Sequence, residues 1–183
     1  MKRYLSIAIF FALAIVVWWN ITDEHSDNEL ERPKSARFIE IFMNNFEMTA
    51  MDDNGAPLYI MRGEHLQRYN DSTETEITSP IFHLLQDKGQ WLISADTAIV
   101  NDEDETIRLH TNVVMLQQQA EPAVTIKTQN LLIHTKKQIA QTEDDVEITQ
   151  GGSQLNSKGM IFNNLTSVLE LSSNVSGHYL PHD

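Results

Sequence analysis
A pattern of apolar positions recurs four times along this chain, and it constrains the fold more than any other feature. Trp91, Ile93 and Ala95 share one parity, Ala98 and Val100 the other, and Val113 and Met115 follow after an acidic stretch. Displaced by 33 residues, Val124, Ile126, Thr128, Leu131, Ile133, Val146 and Ile148 fill the same slots. A further 29 residues on, Leu155, Ser157, Met160, Phe162 and Val175 do so again, and 32 residues upstream stand Tyr59, Met61, Gly63, Leu66 and Ile81. A residue that turns easily precedes each late valine or isoleucine: Pro80, Asn112, Asp145 and Asn174. Repeats with a period near thirty residues mean stacked supersecondary units, none of which can bury its apolar face alone.

Within each unit the apolar residues alternate, which is the period of a strand. The change of parity predicts a bulge, corner or tight turn near Asp96-Thr97, Gln129-Asn130 and Lys158-Gly159. Polar tips at 102–105, 134–138 and 163–167 separate successive strands, and Asp52-Asp53-Asn54-Gly55 reads as a hairpin turn, Asn-Gly supplying the positive φ such turns need. No helical period is sustained after residue 50. The body is therefore expected to be all-β, with a dozen or so short strands. Only one face of each strand is consistently apolar, so the sheet must fold against itself as a sandwich, roll or trough, with an edge strand at each end open to another chain.

Residues 4–21 are apolar except for Ser6 and Asn20. A bilayer takes about 20 such residues to cross. Tyr4 and Leu5 open the run and Trp18 and Trp19 close it, where amphipathic rings prefer the interface. Lys2 and Arg3 precede the run while Asp23, Glu24 and Asp27 follow it, which orients the N-terminus to the cytoplasm. A cleaved signal peptide would end in a small-residue site, and none follows Val16-Val17-Trp18-Trp19. The expected organisation is an anchor at 1–21, a polar tether at 22–37 and a β domain at 38–183.

The whole chain carries 13 Lys and Arg against 26 Asp and Glu; without Lys2 and Arg3 the balance is 11 against 26, a net of −15. Such a body repels nucleic-acid phosphate and has no basic patch for an anionic membrane surface. It contains no cysteine, which excludes disulfides, thiolate metal sites and a cysteine nucleophile. Asp102-Glu103-Asp104-Glu105 lacks the glycine and ligand spacing of a calcium loop, and Glu143-Asp144-Asp145 is the same case. His178 and His182 are four apart but stand beside Pro181, which disfavours the helix that would align them as metal ligands. No nucleophile elbow, phosphate loop, zinc-protease or dinucleotide motif occurs. Neither a catalytic residue nor a cofactor is expected. A polysaccharide enzyme built on such repeats would need an acid/base pair flanked by exposed aromatics, and the chain has few aromatics to give.

An anchor and tether come first, then DDNGAPLYIMRGEHLQRYNDSTETEITSPIF, WLISADTAIV, IRLHTNVVML, AQTEDDVEITQGGSQLNSKGM and LELSSNVSGHY. In that order and spacing the chain resembles the LptC family, single-pass inner-membrane components of lipopolysaccharide export in Gram-negative bacteria. The resemblance spans nearly the whole chain. It implies an open, twisted β-jellyroll of antiparallel strands in the periplasm behind one N-terminal transmembrane helix. It also implies association with the LptB–LptF–LptG ABC transporter through the helix and the N-terminal jellyroll edge, and with LptA through the C-terminal edge. Lipopolysaccharide would pass through an apolar groove between them. Position by position, the resemblance implies that Phe46, Ile77, Leu169 and Tyr179 face that groove. It also matches Gly55 and Gly152 to family glycines, Gly152 letting the last strands bend towards the docking edge. A purely structural bridge, connecting transporter and periplasmic filament without touching lipid, would share the anchor and edges but tolerate polar groups inside.

Overall fold
The computed structural model describes residues 36–180 except 53, 86–89 and 118. The expected anchor, with Tyr4, Leu5, Trp18 and Trp19, lies outside the described residues, as does the tether up to residue 35. Among the described residues there is no helix, so none long and apolar enough to cross a membrane.

Among the described residues, eleven strands make one antiparallel sheet, all within the unit Phe38–Asp183. They are β1 (Ile39–Met51), β2 (Pro57–Tyr69), β3 (Glu74–Thr78), β4 (Ile81–Leu84), β5 (Trp91–Ser94) and β6 (Thr97–Asn101). After them come β7 (Thr106–Gln117), β8 (Val124–His134), β9 (Ile139–Gln150), β10 (Ser153–Asn163) and β11 (Val168–His178). The all-β class expected from the alternation is what is observed.

The pairings show how one sheet makes two layers. The first half of β2 pairs β4 and its second half pairs β3. The second half of β7 pairs β5 and its first half pairs β6. Since β4 pairs β5 and β3 pairs β6, two arms of sheet run between β2 and β7, joined along a bend. Strands β8 to β11 continue both arms, with register shifts where they cross the bend, for example between Lys127 and Leu132 and between Lys158 and Met160.

The bend has a backbone cause. Asn45, Ser79, Thr111, Asn112, Gly159 and Asn174 take positive φ between 47° and 80°. Asparagine and glycine tolerate this region, whereas Thr111 is β-branched and enters it at a cost. Neighbouring bends are bonded to each other: Ser79 N–H donates to Asp96 O at 2.8 Å and Asp96 N–H to Thr111 O at 3.0 Å. The Asn112 amide adds a bond to the Asp96 carboxylate at 2.8 Å. The turn-prone residues Pro80, Asn112, Asp145 and Asn174 thus lie on or beside the bend.

Each expected change of parity has its irregularity: Ala95-Asp96 separates β5 from β6 as a corner, while β8 and β10 pass the bend unbroken with register shifts at Lys127/Leu132 and Lys158/Met160. An extra residue absorbed as a bulge changes the face without ending the ladder, so a parity slip alone does not separate strands.

Inner-face residues of the repeats line up across the arms in register. Phe82, Ile93, Met115 and Ile126 are successive partners in one arm, and Ala98, Leu109 and Leu131 in the other. Phe82, Ile93, Leu109, Met115, Ile126, Leu131 and Met160 are all but inaccessible to solvent. Burying each contributes about 1.5–3 kcal/mol. The slot nearest the bend is small in every repeat, Gly63, Ala95, Thr128 and Ser157, because there the arms converge.

Candidate functional site
The inner face is a trough closed at the bend, with its lips at the turns on the far ends of both arms. Two spaces lie along it. Near the lips, Leu58, Leu84, Ile107, Ile139 and Phe162 line a narrow apolar slot of about 40 Å³. That holds a few waters at most, since one water needs roughly 10–15 Å³. At the β1 end, Ile41, Met43, Met48, Met61, Leu66 and Val100 line a wider mouth of about 260 Å³. Methionine packs irregular apolar shapes without a fixed geometry, which suits a mouth that accepts flexible chains. Larger recesses of about 640 and 490 Å³ follow the bend, but both are open and carry charged side chains, Lys127, Glu147 and Lys158 at the first and Arg108, Glu143 and Asp144 at the second.

Tyr59 lines both mouth and slot. Its ring meets Phe82 edge-on, centroids 5.9 Å apart at 62°. Burial, and then the negative charge of Asp102, push its phenol above the ordinary tyrosine range. Arg68 and Asp102 complete the mouth as a polar rim. One Arg68 Nη lies 3.5 Å from a Glu40 carboxylate oxygen, while its Nε is buried with no hydrogen-bond partner.

The structure brings some of the expected groove residues together and leaves others apart. Phe46 and Ile77 are both buried, on β1 and β3, and meet over Gly63 of the intervening β2. A Cβ added at Gly63 would stand 2.8 Å from Phe46 Cε1 and 2.9 Å from Ile77 Cγ2. Leu169 lies towards the other end on β11, opposite Phe162 and half-buried against the core. Tyr179, expected to face the groove, lies beyond the end of β11 and is 77% exposed. Pairing with β10 stops at His178, so strand alternation assigns Tyr179 no face.

Gly55 occupies the β1–β2 turn at φ +80°. Asp52 closes that turn: its carboxylate accepts from Asn54 and Ala56 N–H at 2.9 and 2.8 Å. Those bonds, Ala56 foremost, hold the Asp52 carboxyl below its usual range. Gly152 is in the β9–β10 turn under Leu180, whose Cδ1 would lie 2.5 Å from an added Cβ. Leu180 N–H donates to Ser153 Oγ at 3.0 Å, fixing the C-terminal segment over this turn.

Tyr59, Arg68 and the mouth methionines were not legible as site residues. The signal for Tyr59 is its repeat slot, shared with buried Trp91 and apolar Val124, in which it carries a phenol. Among the described residues, the edge strands β1 and β11 each pair on one side only and expose large apolar side chains, among them Phe42 at 64% and Val175 at 53%. Among the described residues no group of three or more His, Asp or Glu could hold a metal ion.

A family described as "Lipopolysaccharide-assembly, LptC-related" matches residues 5–180. No curated protein sequence matches the chain. Among solved structures, it is similar to LptH from Pseudomonas aeruginosa, described as the LptA-homologous periplasmic component of the lipopolysaccharide transport device. That likeness has a TM-score of 0.46 at 6% identity and covers 77% of this chain and 94% of LptH.

Proposed function
The chain belongs to the LptC-related family of lipopolysaccharide-assembly proteins, and from that membership we propose that it is the inner-membrane-anchored relay of the export path. Its N-terminal helix spans the inner membrane from a cytoplasmic N-terminus, and the β trough stands in the periplasm. Lipopolysaccharide arrives from the LptB–LptF–LptG transporter at the β1 edge and leaves to LptA at the β11 edge. The chain performs no reaction; the ATP-driven work is the transporter's.

One observation carries this reading: a continuous apolar inner face running from one unpaired edge strand to the other. An acyl chain moving along it meets apolar side chains throughout, and each edge is a template on which a partner's strand extends the sheet. The acidic body offers lipid phosphates no deep electrostatic well, which suits cargo that must leave again. Photo-crosslinking residues at Ile77 and Leu169, in membranes with the transporter, should capture lipopolysaccharide in an ATP-dependent manner. Absence of adducts at every inner-face position would refute the relay.

The narrowness of the slot favours a second reading, the purely structural bridge. A polar residue placed at Leu169 should block transport if lipid passes and leave it unchanged if the protein only bridges.

A further inference from the structure
The wide mouth and the narrow slot share a single lining residue among those described, Tyr59. On β2 it stands in register between Ala50 of β1 and Leu84 of β4. The mouth, with Met43 and Met48, lies on its β1 side; the slot, with Ile107 and Phe162, lies on the side of the later strands. We propose that Tyr59 is the gate of the trough: an acyl chain seated in the mouth reaches the slot only when the Tyr59 ring turns aside. The proposal rests on the relay reading and adds to it where passage is controlled.

Three features suit this residue to the task. Its ring meets Phe82 edge-on at the margin of the core, and opening needs a side-chain rotation and no change of backbone pairing. The ring body is apolar and can rest against an acyl chain in either position. The phenol tip lies within the influence of Asp102 at the rim, so the closed position keeps a polar end near the polar edge of the mouth. Trp91, in the equivalent slot of the next repeat, makes a similar edge-on contact with Phe162 at 5.2 Å but is buried, whereas Tyr59 is only half-buried and faces the mouth.

The test places benzoylphenylalanine at Met48, in the mouth, or at Phe162, beyond the gate, in the full chain with its transporter and ATP in lipopolysaccharide-containing membranes. With Tyr59 both positions should give adducts. Tyr59→Trp should keep the Met48 adduct and reduce the Phe162 adduct by roughly tenfold, as expected where a bulkier ring raises the passage barrier. Tyr59→Ala should raise the ratio of Phe162 to Met48 adduct, and Tyr59→Phe should leave it near that of the unaltered chain. A ratio that is the same for Tyr, Phe, Ala and Trp overturns the gate while leaving the relay intact, because cargo then enters the slot directly between the lips. Adducts at neither position in the unaltered chain overturn the relay and the gate together.

Discussion

Gly63→Ala tests the packing on which the groove depends. The new methyl would lie 2.8 and 3.0 Å from Phe46 Cε1 and Cζ and 2.9 Å from Ile77 Cγ2. Carbon atoms rest about 3.5–4.0 Å apart, so both neighbours must retreat by more than half an ångström. Neither can do so freely: Ile77 is 2% exposed, and the Phe46 ring lies across Gly63, its partner in register. Overpacking of this kind costs about 1–3 kcal/mol. Replacing glycine also restricts the unfolded chain, which returns about 0.4–1 kcal/mol. The net expectation is a loss of about 1–2 kcal/mol. Equilibrium urea unfolding of the full chain in detergent, followed by far-ultraviolet circular dichroism, should show the midpoint lowered by about 0.5–1 M for a slope near 2 kcal/mol/M. Phe46→Leu removes the ring edge that the methyl meets, so the double variant should lose less than the sum of the two single changes, by about 0.5 kcal/mol or more. A Gly63→Ala variant as stable as the parent, or additive losses in the double variant, would refute the argument that Phe46 and Ile77 close over Gly63.

Other outcomes follow from single observations. Thr128 Oγ1 is buried without a hydrogen-bond partner, so Thr128→Val should raise stability by about 1 kcal/mol, read from the same urea transition. The raised Tyr59 phenol favours the neutral form in the folded state; its contribution is complete below the ordinary tyrosine pKa and is lost as pH rises through the folded value. Subtracting the tyrosinate absorbance titration of Tyr59→Phe from that of the parent should therefore give a midpoint above 10, the ordinary value. Gly152→Arg should force Leu180 off the β9–β10 turn and weaken capture of LptA at the β11 edge, and Leu180→Ala should reproduce part of that loss in a pull-down.

The repeat was legible because burial imposes the same grammar on every rung of a folded sheet. Ile93 and Ile126, or Ala98 and Leu131, take equivalent slots because each faces the opposite arm at the same distance from the bend. The small slot, Gly63, Ala95, Thr128 and Ser157, was visible as a column before its reason was: the arms leave no room there. Contacts between different columns were not legible. Phe46 and Ile77 are 31 residues apart and reach each other across β2, a relation set by pairing β2 to β1 on one side and to β3 on the other. The face of Tyr179 was not legible either, because alternation describes a paired strand and pairing with β10 ends at His178. Leu180 reaches Gly152 because the antiparallel register that sets Gln154 opposite His178, carried two residues on, sets Gly152 opposite Leu180, and that register comes from pairing β10 with β11 and not from the local sequence.

The nearly filled slot and a transport role are compatible on energetic grounds. When the trough is empty, inner-face side chains of the two arms bury one another, which stabilises by about 25 cal/mol per Å² of apolar surface. An acyl chain inserted between them exchanges protein–protein apolar contact for protein–lipid apolar contact of similar worth, so parting the arms is offset by the cargo that parts them. The bend is tied by the Ser79–Asp96–Thr111 backbone bonds, so the arms part by opening at the lips. A nearly even exchange neither traps lipid nor repels it. Such a trough cannot impose direction, which in the proposed relay comes from the transporter's ATP-driven loading at the β1 end. A slot held open by polar groups or a deep apolar well would each spoil this balance, the first by excluding acyl chains and the second by retaining them.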